Sequence, residues 1–406
     1  YVFTSHPTEA RSPQYLHLMS QVEGLLIEAL KTSFQDIYER LLHLMRIAVR
    51  LDIAPHERPE VSDEMDQIFH TVLTEDILNE QIHLFDKGIS IGFRTWVGGD
   101  KDGHPKVNPK TMCQSFERSR LLLLSFIQQK LALHRDDLNL LQDGEALMAE
   151  IQELSKQLSS LKKIKAQDGK LVKSFKTTFE KYLNKAERKN LLSPSLLKIK
   201  TLLWLYPALV LPLEIREDSS IIKEALTDRT LTIALMLKYL KEISNGLEAK
   251  WYVRGFIISM CMTSEDYLAA LKISKRELGA YAIPIIPLFE NEKGLINSIT
   301  ILSESFASAD IIATHQKKWG NRFEVMVGYS DSSKENGVLP SRLMVEEALF
   351  KLEDFLIKQE LTPVFFHGSG GSTSRGGGSV EEQLAWWPQS ALDIYKVTIQ
   401  GEMVQR

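Results

Sequence analysis

The stretch that decides the fold runs from Phe323 to His367 and reads FEVMVGYSDSSKENGVLPSRLMVEEALFKLEDFLIKQELTPVFFH. It opens with a short apolar run, continues through an amphipathic segment with helical spacing, and ends in a second apolar run of β-branched and aromatic residues. The order strand, helix, strand predicts a crossover unit in which the two strands are parallel.

The same alternation recurs on both sides of this unit. The eight apolar runs are YVFTS (1–5), GFRTWV (92–97), ALVLPLEI (208–215), GFIISM (255–260), IPIIPLFE (283–290), FEVMVGYS (323–330), TPVFFHG (362–368) and IYKVTIQGE (394–402). Eight strands with intervening helices are the strand count of a (β/α)8 barrel. We therefore predict a helix-dominated α/β protein, a TIM-like barrel with large, mostly helical insertions after the first two strands.

The insertions are predicted from helical patterns and capping residues. Ser12-Pro13 is a good N-cap and first-turn pair for a helix running to about residue 50, and Asn108-Pro109 starts another. The sequence from about residue 145 to residue 205 also predicts helices. The chain is thus expected to divide at 1–107 (first two strands and a helical insertion), 108–205 (a second helical insertion) and 206–406 (the remaining strands and helices).

Composition sets limits on the class of protein. The chain has 406 residues, 44% hydrophobic content and a net charge of −4, which favours neither nucleic acid nor an anionic membrane as partner. No apolar run is long enough to span a bilayer. The lysine-rich segment 156–189 favours a helical insertion with a solvent-exposed face over a nucleic-acid-binding surface. The two cysteines, Cys113 and Cys261, are far apart and suggest reduced thiols in the cytoplasm.

Polar side chains end each apolar run. They are Ser5-His6, Gly98-Gly99-Asp100, Arg216, Ser259, Glu290, Tyr329-Ser330-Asp331, His367, and Gln400 with Glu402. In a barrel of this kind the carboxyl ends of the strands converge on one mouth, where catalytic residues sit. A chain without a common site has no reason to end eight separate runs in such residues.

Several of these residues have plain structural interpretations when taken singly. Glu290 suits a surface strand end and Asp331 a turn, but together they offer carboxylate oxygens for Mg2+. Arg216, at the end of a buried strand, requires an anionic partner, either a carboxylate or a phosphate. His367 is equally compatible with a structural role. Trp96 is core or an apolar wall of the mouth.

The glycine-rich stretch HGSGGSTSRGGG, residues 367–378, follows the seventh strand. A flexible linker is one interpretation, since Gly/Ser tracts are usually spacers. The other is a loop whose backbone N–H groups surround an anion, with Arg375 as its cation. The strand-end residues favour the second.

These stretches resemble phosphoenolpyruvate carboxylase. The matching segments are FTSHPTEA (3–10), TWVGGDKDGHPKV (95–107), LEIREDS (213–219), ISMCMTSEDYL (258–268), IPLFEN (286–291), VMVGYSDSSKENG (325–337), FFHGSGGSTSRGGG (365–378) and TIQGEM (398–403). They occur in family order and cover essentially the whole chain. The family has helical segments before the His6 motif and a long helical region after the last strand, so we expect this chain to be a piece of a longer protein.

The resemblance implies a reaction and roles for individual residues. Phosphoenolpyruvate and bicarbonate would give oxaloacetate and phosphate through carboxyphosphate and a metal-stabilised enolate, with Mg2+ or Mn2+ on Glu290 and Asp331. The implied catalytic residues are His6, Lys334, Arg216 and Arg375, with His6 as base. The implied substrate-binding residues are Arg216, Trp96, His367, Gly368, Ser369, Gly370, Gly371 and Arg375. The family also implies a cytoplasmic homotetramer.

The glycine loop departs from the family pattern His-Gly-Arg-Gly-Gly-x-x-Gly-Arg-Gly-Gly. Ser369 stands where the first arginine is usual, and Ser374 where a glycine is usual. A lost guanidinium favours an alternative, a non-catalytic or truncated relative that binds phosphorylated carboxylates without turnover. A phosphoenolpyruvate-using phosphotransferase barrel is a weaker alternative, because it would not need the SHPTE and GGDKDG stretches.

Overall fold

The structure is a computed structural model, and it describes residues 1–4, 13–31, 33–52, 60–102, 104–141, 145–307, 309–328, 337–368, 385 and 387–400. Its centre is a closed barrel of eight parallel strands in sequential order. The strands are β1 (Val2–Thr4), β2 (Arg94–Thr95), β3 (Leu213–Asp218), β4 (Val253–Ser259), β5 (Ile285–Phe289), β6 (Arg322–Gly328), β7 (Thr362–Gly368) and β8 (Lys396–Gln400). The predicted helix-rich (β/α)8 barrel is confirmed.

The first strand closes the barrel by pairing on both edges. Val2 is in register with Arg94 of β2 and with Thr398 of β8. The longest ladder joins β6 and β7, from Arg322–Thr362 onward. All eight strands therefore begin at one end of the barrel and finish at the other.

Helices connect the strands, and most of them lie in the first two connections. The helices are α1 (Pro13–Ala29), α2 (Phe34–Ala48), α3 (Val61–Val72), α4 (Glu75–Asp86), α5 (Pro109–Leu138), α6 (Glu145–Ser160), α7 (Asp168–Arg188), α8 (Pro194–Leu205), α9 (Ser219–Glu224), α10 (Thr232–Ser244), α11 (Ser264–Leu278), α12 (Glu292–Ser305), α13 (Ala309–Lys318), α14 (Val338–Lys358) and α15 (Ser390–Asp393). Helices α1–α4 separate β1 from β2, and α5–α8 separate β2 from β3. The division of the chain into three segments stays a prediction.

The first predicted helix is in fact two helices, so that expectation was wrong. The chain breaks after α1, and the Ser33 side chain accepts a hydrogen bond from the Gln35 N–H at 3.2 Å, which starts α2. A new N-cap is a local signal within a continuous helical periodicity. The predicted start at Asn108 is confirmed, since its side chain accepts from the N–H groups of Lys110 and Thr111.

A buried ion pair attaches the second insertion to the barrel. Arg120 of α5 donates from Nη1 and Nη2 to the two carboxylate oxygens of Asp168 at the start of α7, each at 2.7 Å. Tyr252, just before β4, donates its hydroxyl to the same carboxylate at 2.7 Å. Both charged side chains are fully buried, so each requires the other.

No single helix in the described part of the chain is long and apolar enough to cross a membrane. The bent pair α12 and α13 reaches the necessary length and composition only when both are counted together.

Candidate active site

The interior of the barrel is an apolar layer topped by polar residues. Seven buried side chains form a cluster of their own, separate from the main core: Val2, Trp96, Ile257, Ile286, Leu288, Met326 and Phe366. Side chains alternate between the two faces of a strand, so residues two positions further on face the same interior. Ser259, Glu290, Gly328 and Gly368 occupy those positions at the carboxyl ends of β4–β7. The interior therefore becomes polar at the mouth.

Arg216 occupies the mouth in a fixed orientation. Its Nε donates to Oδ1 of Asp100 at 2.8 Å and its Nη2 donates to Oδ2 at 2.7 Å. Its guanidinium carbon lies 4.5 Å from the ring centroid of Trp96. Asp102 is a more distant partner, 3.9 Å from Nε. A two-pronged pair on one edge and an aromatic ring on one face leave the guanidinium little freedom.

The two glycines before Asp100 explain why it reaches Arg216. Gly98 has φ +92°, a conformation that favours glycine. At Gly99 a Cβ would lie 2.3 Å from the carbonyl oxygen of Glu214, so only glycine fits against β3. The Arg216 N–H then donates to the Gly99 carbonyl at 3.1 Å, and the Lys101 N–H donates to the Arg216 carbonyl at 2.9 Å. The loop thus continues the sheet beside β3.

Burial raises the pKa of two acids at this position, Asp100 of the pair itself and Glu64 behind it. It raises the pKa of Asp100, and the attraction of Arg216 opposes that rise only in part. For Arg216, burial alone would lower the pKa, but Asp100 outweighs it and the pKa is raised. Glu64 of α3 is buried, and burial together with the charge of Asp100 raises its pKa to about 8. A carboxyl that is mostly protonated at neutral pH therefore lies behind the Arg216–Asp100 pair.

Glu290 stands at the carboxyl end of β5, on the same interior face as Leu288. Its Oε1 accepts a hydrogen bond from the Met260 N–H at 2.9 Å. Met260 itself has φ +53°, an uncommon conformation for a non-glycine residue. A Cβ at Gly328 would lie 2.7 Å from Cβ of Glu290, so the glycine ending β6 makes room for this carboxylate.

Two buried polar atoms near the mouth have no hydrogen-bond partner among the described residues. They are Nε1 of Trp96 and Oγ of Ser259. Leaving a buried donor or acceptor unpaired costs free energy, so such atoms in a polar site are candidates for contact with a ligand. Trp96 is 6% exposed and packs edge-on against Phe366, which agrees with both its core and its wall interpretation.

His367 lies on the other face of β7. The interior residue of this strand is Phe366, so the next side chain points away from the barrel lumen. There it stacks on Trp387, with the ring centroids 3.4 Å apart. Burial lowers its pKa to about 3, so the imidazole is neutral at physiological pH. A direct contact with substrate at His367, as predicted, would require this stack to open.

Most of the predicted catalytic, substrate-binding and metal-binding residues lie outside the described residues. They are His6, Asp331, Lys334, Ser369, Gly370, Gly371 and Arg375. The structure brings together Arg216, Trp96 and Glu290 at one mouth, while of Gly368 it describes the backbone at the end of β7.

Sequence reasoning missed two acids of this site. The sequence identified Asp100 only as the residue that ends its apolar run and did not predict its pairing with Arg216. An acid directly after two glycines was nevertheless a possible signal for such a partner. Glu64 had no such signal, because it lies on a helix remote in sequence from the GGD loop. Only the packing of α3 brings it near Asp100.

A family model for phosphoenolpyruvate carboxylase matches residues 1–194 and 207–406. The chain belongs to the phosphoenolpyruvate carboxylase family. Among curated relatives it is similar to the phosphoenolpyruvate carboxylases of Prochlorococcus marinus strain MIT 9515 (24% identity, 99% of this chain, 54% of the relative), Xanthomonas euvesicatoria pv. vesicatoria strain 85-10 (24%, 100%, 55%) and Hahella chejuensis strain KCTC 2396 (23%, 100%, 55%). The chain thus spans about half the length of these carboxylases.

A divalent cation is implied by this family, and the described residues fit it in part. Glu290 supplies a half-buried carboxylate at the mouth, a ligand type that Mg2+ and Mn2+ prefer. No group of three or more potential ligands occurs among the residues that the structure describes. The second predicted ligand, Asp331, lies outside them.

Proposed function

We propose that the protein carboxylates phosphoenolpyruvate with bicarbonate to give oxaloacetate and phosphate. The observation that carries the proposal is the orientation of Arg216, held by Asp100 and stacked on Trp96, at the mouth of a barrel that carries the family's sequence segments. Phosphoenolpyruvate is a compact anion, and an arginine held in advance binds phosphate without ordering its own side chain first.

The remaining anion-binding groups would come from the segments that follow β6 and β7 in the sequence. Lys334, Arg375 and the glycines 368, 370 and 371 would hold phosphate and bicarbonate oxygens through cationic and backbone N–H contacts. Two N–H groups of Arg216 already donate hydrogen bonds to Asp100. When the phosphate binds, Arg216 would therefore use its remaining N–H groups, or it would change its hydrogen bonds with Asp100.

The chemistry proceeds in three steps. A bicarbonate oxygen attacks phosphorus, and the bond between phosphorus and the enol oxygen breaks, leaving carboxyphosphate and the enolate of pyruvate. His6 accepts the proton of carboxyphosphate, which then splits into CO2 and phosphate, and the proton passes on to phosphate. The enolate carbon finally attacks CO2 and forms oxaloacetate. Trp96, as an apolar wall, would keep water from the enolate.

Glu290 and Asp331 are the residues that would hold Mg2+ or Mn2+. The cation would supply positive charge that offsets the charge of the phosphate and of the enolate oxygen. The N–H group of Met260 and the space beside Gly328 orient the Glu290 carboxylate for that purpose.

The test is oxaloacetate formation by the natural protein, coupled to its reduction with malate dehydrogenase and NADH. Activity should require phosphoenolpyruvate, bicarbonate and Mg2+ together. Omission of bicarbonate is the control for plain phosphatase activity, which would give phosphate without oxaloacetate. Binding of phosphoenolpyruvate with no oxaloacetate would reject the carboxylase.

A second candidate is a relative that binds phosphorylated carboxylates without turnover. Ser369 favours it, because serine offers a neutral hydrogen bond where the family has a guanidinium. The retention of His6, Arg216, Glu290 and Asp331 favours the enzyme, since a relative without catalysis has no need of a base and two metal ligands.

The family further suggests a cytoplasmic homo-oligomer, a tetramer in the full-length protein. Cys113 and Cys261 are both free thiols, which agrees with a reducing compartment. Size-exclusion chromatography with light scattering of the natural protein would test the assembly.

A further inference from the structure

Ser259, the last residue of β4, points its side chain into the barrel at the mouth. Ile257, two residues earlier, belongs to the interior cluster, whereas Ile258 packs in the main core outside the strands. Since side chains alternate between the two faces of a strand, Ser259 faces the same interior as Ile257, one layer closer to the mouth. The register agrees, because Ile257 is paired with Arg216 of β3. Ser259 therefore lies on the floor of the mouth.

Strand β4 runs between the two strands that carry the charged residues of the mouth. The strands are in sequential order, so β3 with Arg216 lies on one side of β4 and β5 with Glu290 on the other. Met260, directly after Ser259, donates its N–H to Oε1 of Glu290 at 2.9 Å. Burial acts to lower the pKa of Arg216, but neighbouring carboxylates, Glu290 among them, raise it. A small ligand held between these two charged groups would therefore lie over the end of β4.

The hydroxyl of Ser259 is buried and makes no hydrogen bond within the described part of the chain. The residue is 1% exposed. Two carboxylates on the neighbouring strands bond elsewhere: Asp218, its partner in register on β3, accepts from the Ser220 N–H at 2.8 Å, and Glu290 accepts from the Met260 N–H. A buried hydroxyl without a partner costs free energy, which a ligand in the mouth would recover.

The neighbouring charges indicate which part of a ligand the hydroxyl would contact. A phosphate carries the larger charge and would pair with the guanidinium of Arg216, while a divalent cation would pair with the carboxylate of Glu290. The hydroxyl between them donates one hydrogen bond and requires an acceptor. A second anionic group of the same ligand, reaching from the phosphate toward the cation, supplies it. A carboxylate fits, because its oxygens accept hydrogen bonds and also bind divalent cations.

We propose that the Ser259 hydroxyl donates a hydrogen bond to the carboxylate of phosphoenolpyruvate and orients it over the end of β4, between Arg216 and Glu290. The proposal rests on the proposed function and adds Ser259 to the residues that bind the substrate. A serine at this place selects ligands that carry a carboxylate beside the phosphate over phosphate esters that lack one, since only the former satisfy its hydroxyl.

The test compares two phosphate esters that differ only in the carboxylate. Phospholactate carries a phosphate and a carboxylate on one carbon, as phosphoenolpyruvate does, but it lacks the double bond and forms no enolate. Isopropyl phosphate has a methyl group in place of that carboxylate. Calorimetric titration of the natural protein, saturated with Mn2+, measures both affinities. The wild type should bind phospholactate more tightly than isopropyl phosphate.

Ser259→Ala should weaken phospholactate about tenfold, the value of one hydrogen bond to a charged group, and leave isopropyl phosphate unchanged. In the carboxylation assay the same variant should raise KM for phosphoenolpyruvate about tenfold with kcat little changed, because the contact is made in the ground state and the transition state alike. The matched control is Ser274→Ala. Ser274 of α11 is also 1% exposed, with an Oγ that has no partner among the described residues, but it lies on a helix outside the barrel. Its variant should leave both affinities unchanged.

Thermal unfolding of the ligand-free variants separates binding from structure. Alanine removes a buried polar group that folding leaves without a partner, so Ser259→Ala and Ser274→Ala should both unfold at the wild-type temperature or above it. A purely structural Ser259 would instead lower the unfolding temperature and weaken both esters. If Ser259→Ala does not fold, Ser259→Cys replaces it with the same expectation, because a thiol is only a weak donor.

The outcomes separate this proposal from the carboxylation on which it rests. Equal weakening of both esters would mean that the hydroxyl does not act on the carboxylate, and unaltered phospholactate binding in a folded variant would remove Ser259 from the site. Either result overturns the role of Ser259 and leaves the carboxylation standing. No binding of phospholactate by the wild type would reject the site that both proposals share.

Discussion

Arg216 and Asp100 meet through two parallel hydrogen bonds of 2.8 and 2.7 Å, although 116 residues separate them in the chain. The pair closes the gap between the loop after β2 and the end of β3. Asp100 orients the guanidinium, and it also lowers the net positive charge that a phosphate would meet. A phosphate that binds at this mouth, as we propose, would therefore meet an arginine that is already paired with a carboxylate, and not an unpaired cation.

The first prediction concerns this geometry. Arg216→Lys keeps the charge but cannot form the two-pronged pair or the flat stack on Trp96. We expect kcat/KM for phosphoenolpyruvate to fall about ten- to a hundredfold, equivalent to roughly 1.5–3 kcal/mol. Arg229→Lys is the control, because Arg229 forms a similar two-pronged pair with Glu277 on the outside of the barrel. Equal losses in both variants would assign the effect to stability.

The second prediction concerns the metal. Glu290→Gln and Asp331→Asn should each weaken Mn2+ binding about tenfold or more, because an amide oxygen replaces a charged ligand. Electron paramagnetic resonance of free Mn2+ measures this without turnover. Glu292→Gln, an exposed acid two residues away, should bind Mn2+ normally. Normal Mn2+ affinity in Glu290→Gln would remove Glu290 from the metal site.

The third prediction concerns His6 as the base. His6→Asn should abolish oxaloacetate formation but keep a slow, bicarbonate-dependent release of phosphate, since the first step needs no imidazole. Parallel assays of phosphate and oxaloacetate on the same sample measure the two products. Full carboxylation by His6→Asn would make His6 structural.

The fourth prediction concerns the loop residue that departs from the family. Ser369→Arg should lower KM for phosphoenolpyruvate about ten- to a hundredfold by adding a charge-assisted contact, with kcat little changed. The gain should shrink at higher salt. An unchanged or higher KM at both salt concentrations would mean that another cation, such as Lys334, already fills the position.

The fifth prediction concerns Glu64 and pH. Its pKa is raised to about 8 in the folded protein, from 4.5, so folding favours the protonated carboxyl. The associated stability is fully present below pH 4.5 and is lost as pH rises through about 8, at about 1.4 kcal/mol per pH unit.

Glu64→Gln removes this dependence. Urea unfolding should give nearly equal stability for variant and wild type at pH 5, and a variant more stable by at least about 2 kcal/mol at pH 9. Glu80→Gln, an exposed acid of α4, should show no such divergence. Parallel stabilities of Glu64→Gln and wild type from pH 5 to 9 would contradict the raised pKa.

The sequence by itself determined the barrel and the strand ends that form its mouth. Short apolar runs such as 323–328 can bury both faces only within a parallel sheet covered by helices, and that periodicity is local. The sequence likewise predicted that the polar residues after the runs, including Arg216 and Glu290, lie at one mouth, because the carboxyl ends of the strands of a barrel converge there.

The tertiary structure decided which face and which partner each residue has. The periodicity of two puts His367 behind β7, against Trp387, once Phe366 faces the lumen. The partner of Arg216 and the burial of Glu64 depend on contacts between segments distant in the chain. Such contacts follow from the closure of the barrel and the packing of the insertions on it, and no local pattern encodes their distances.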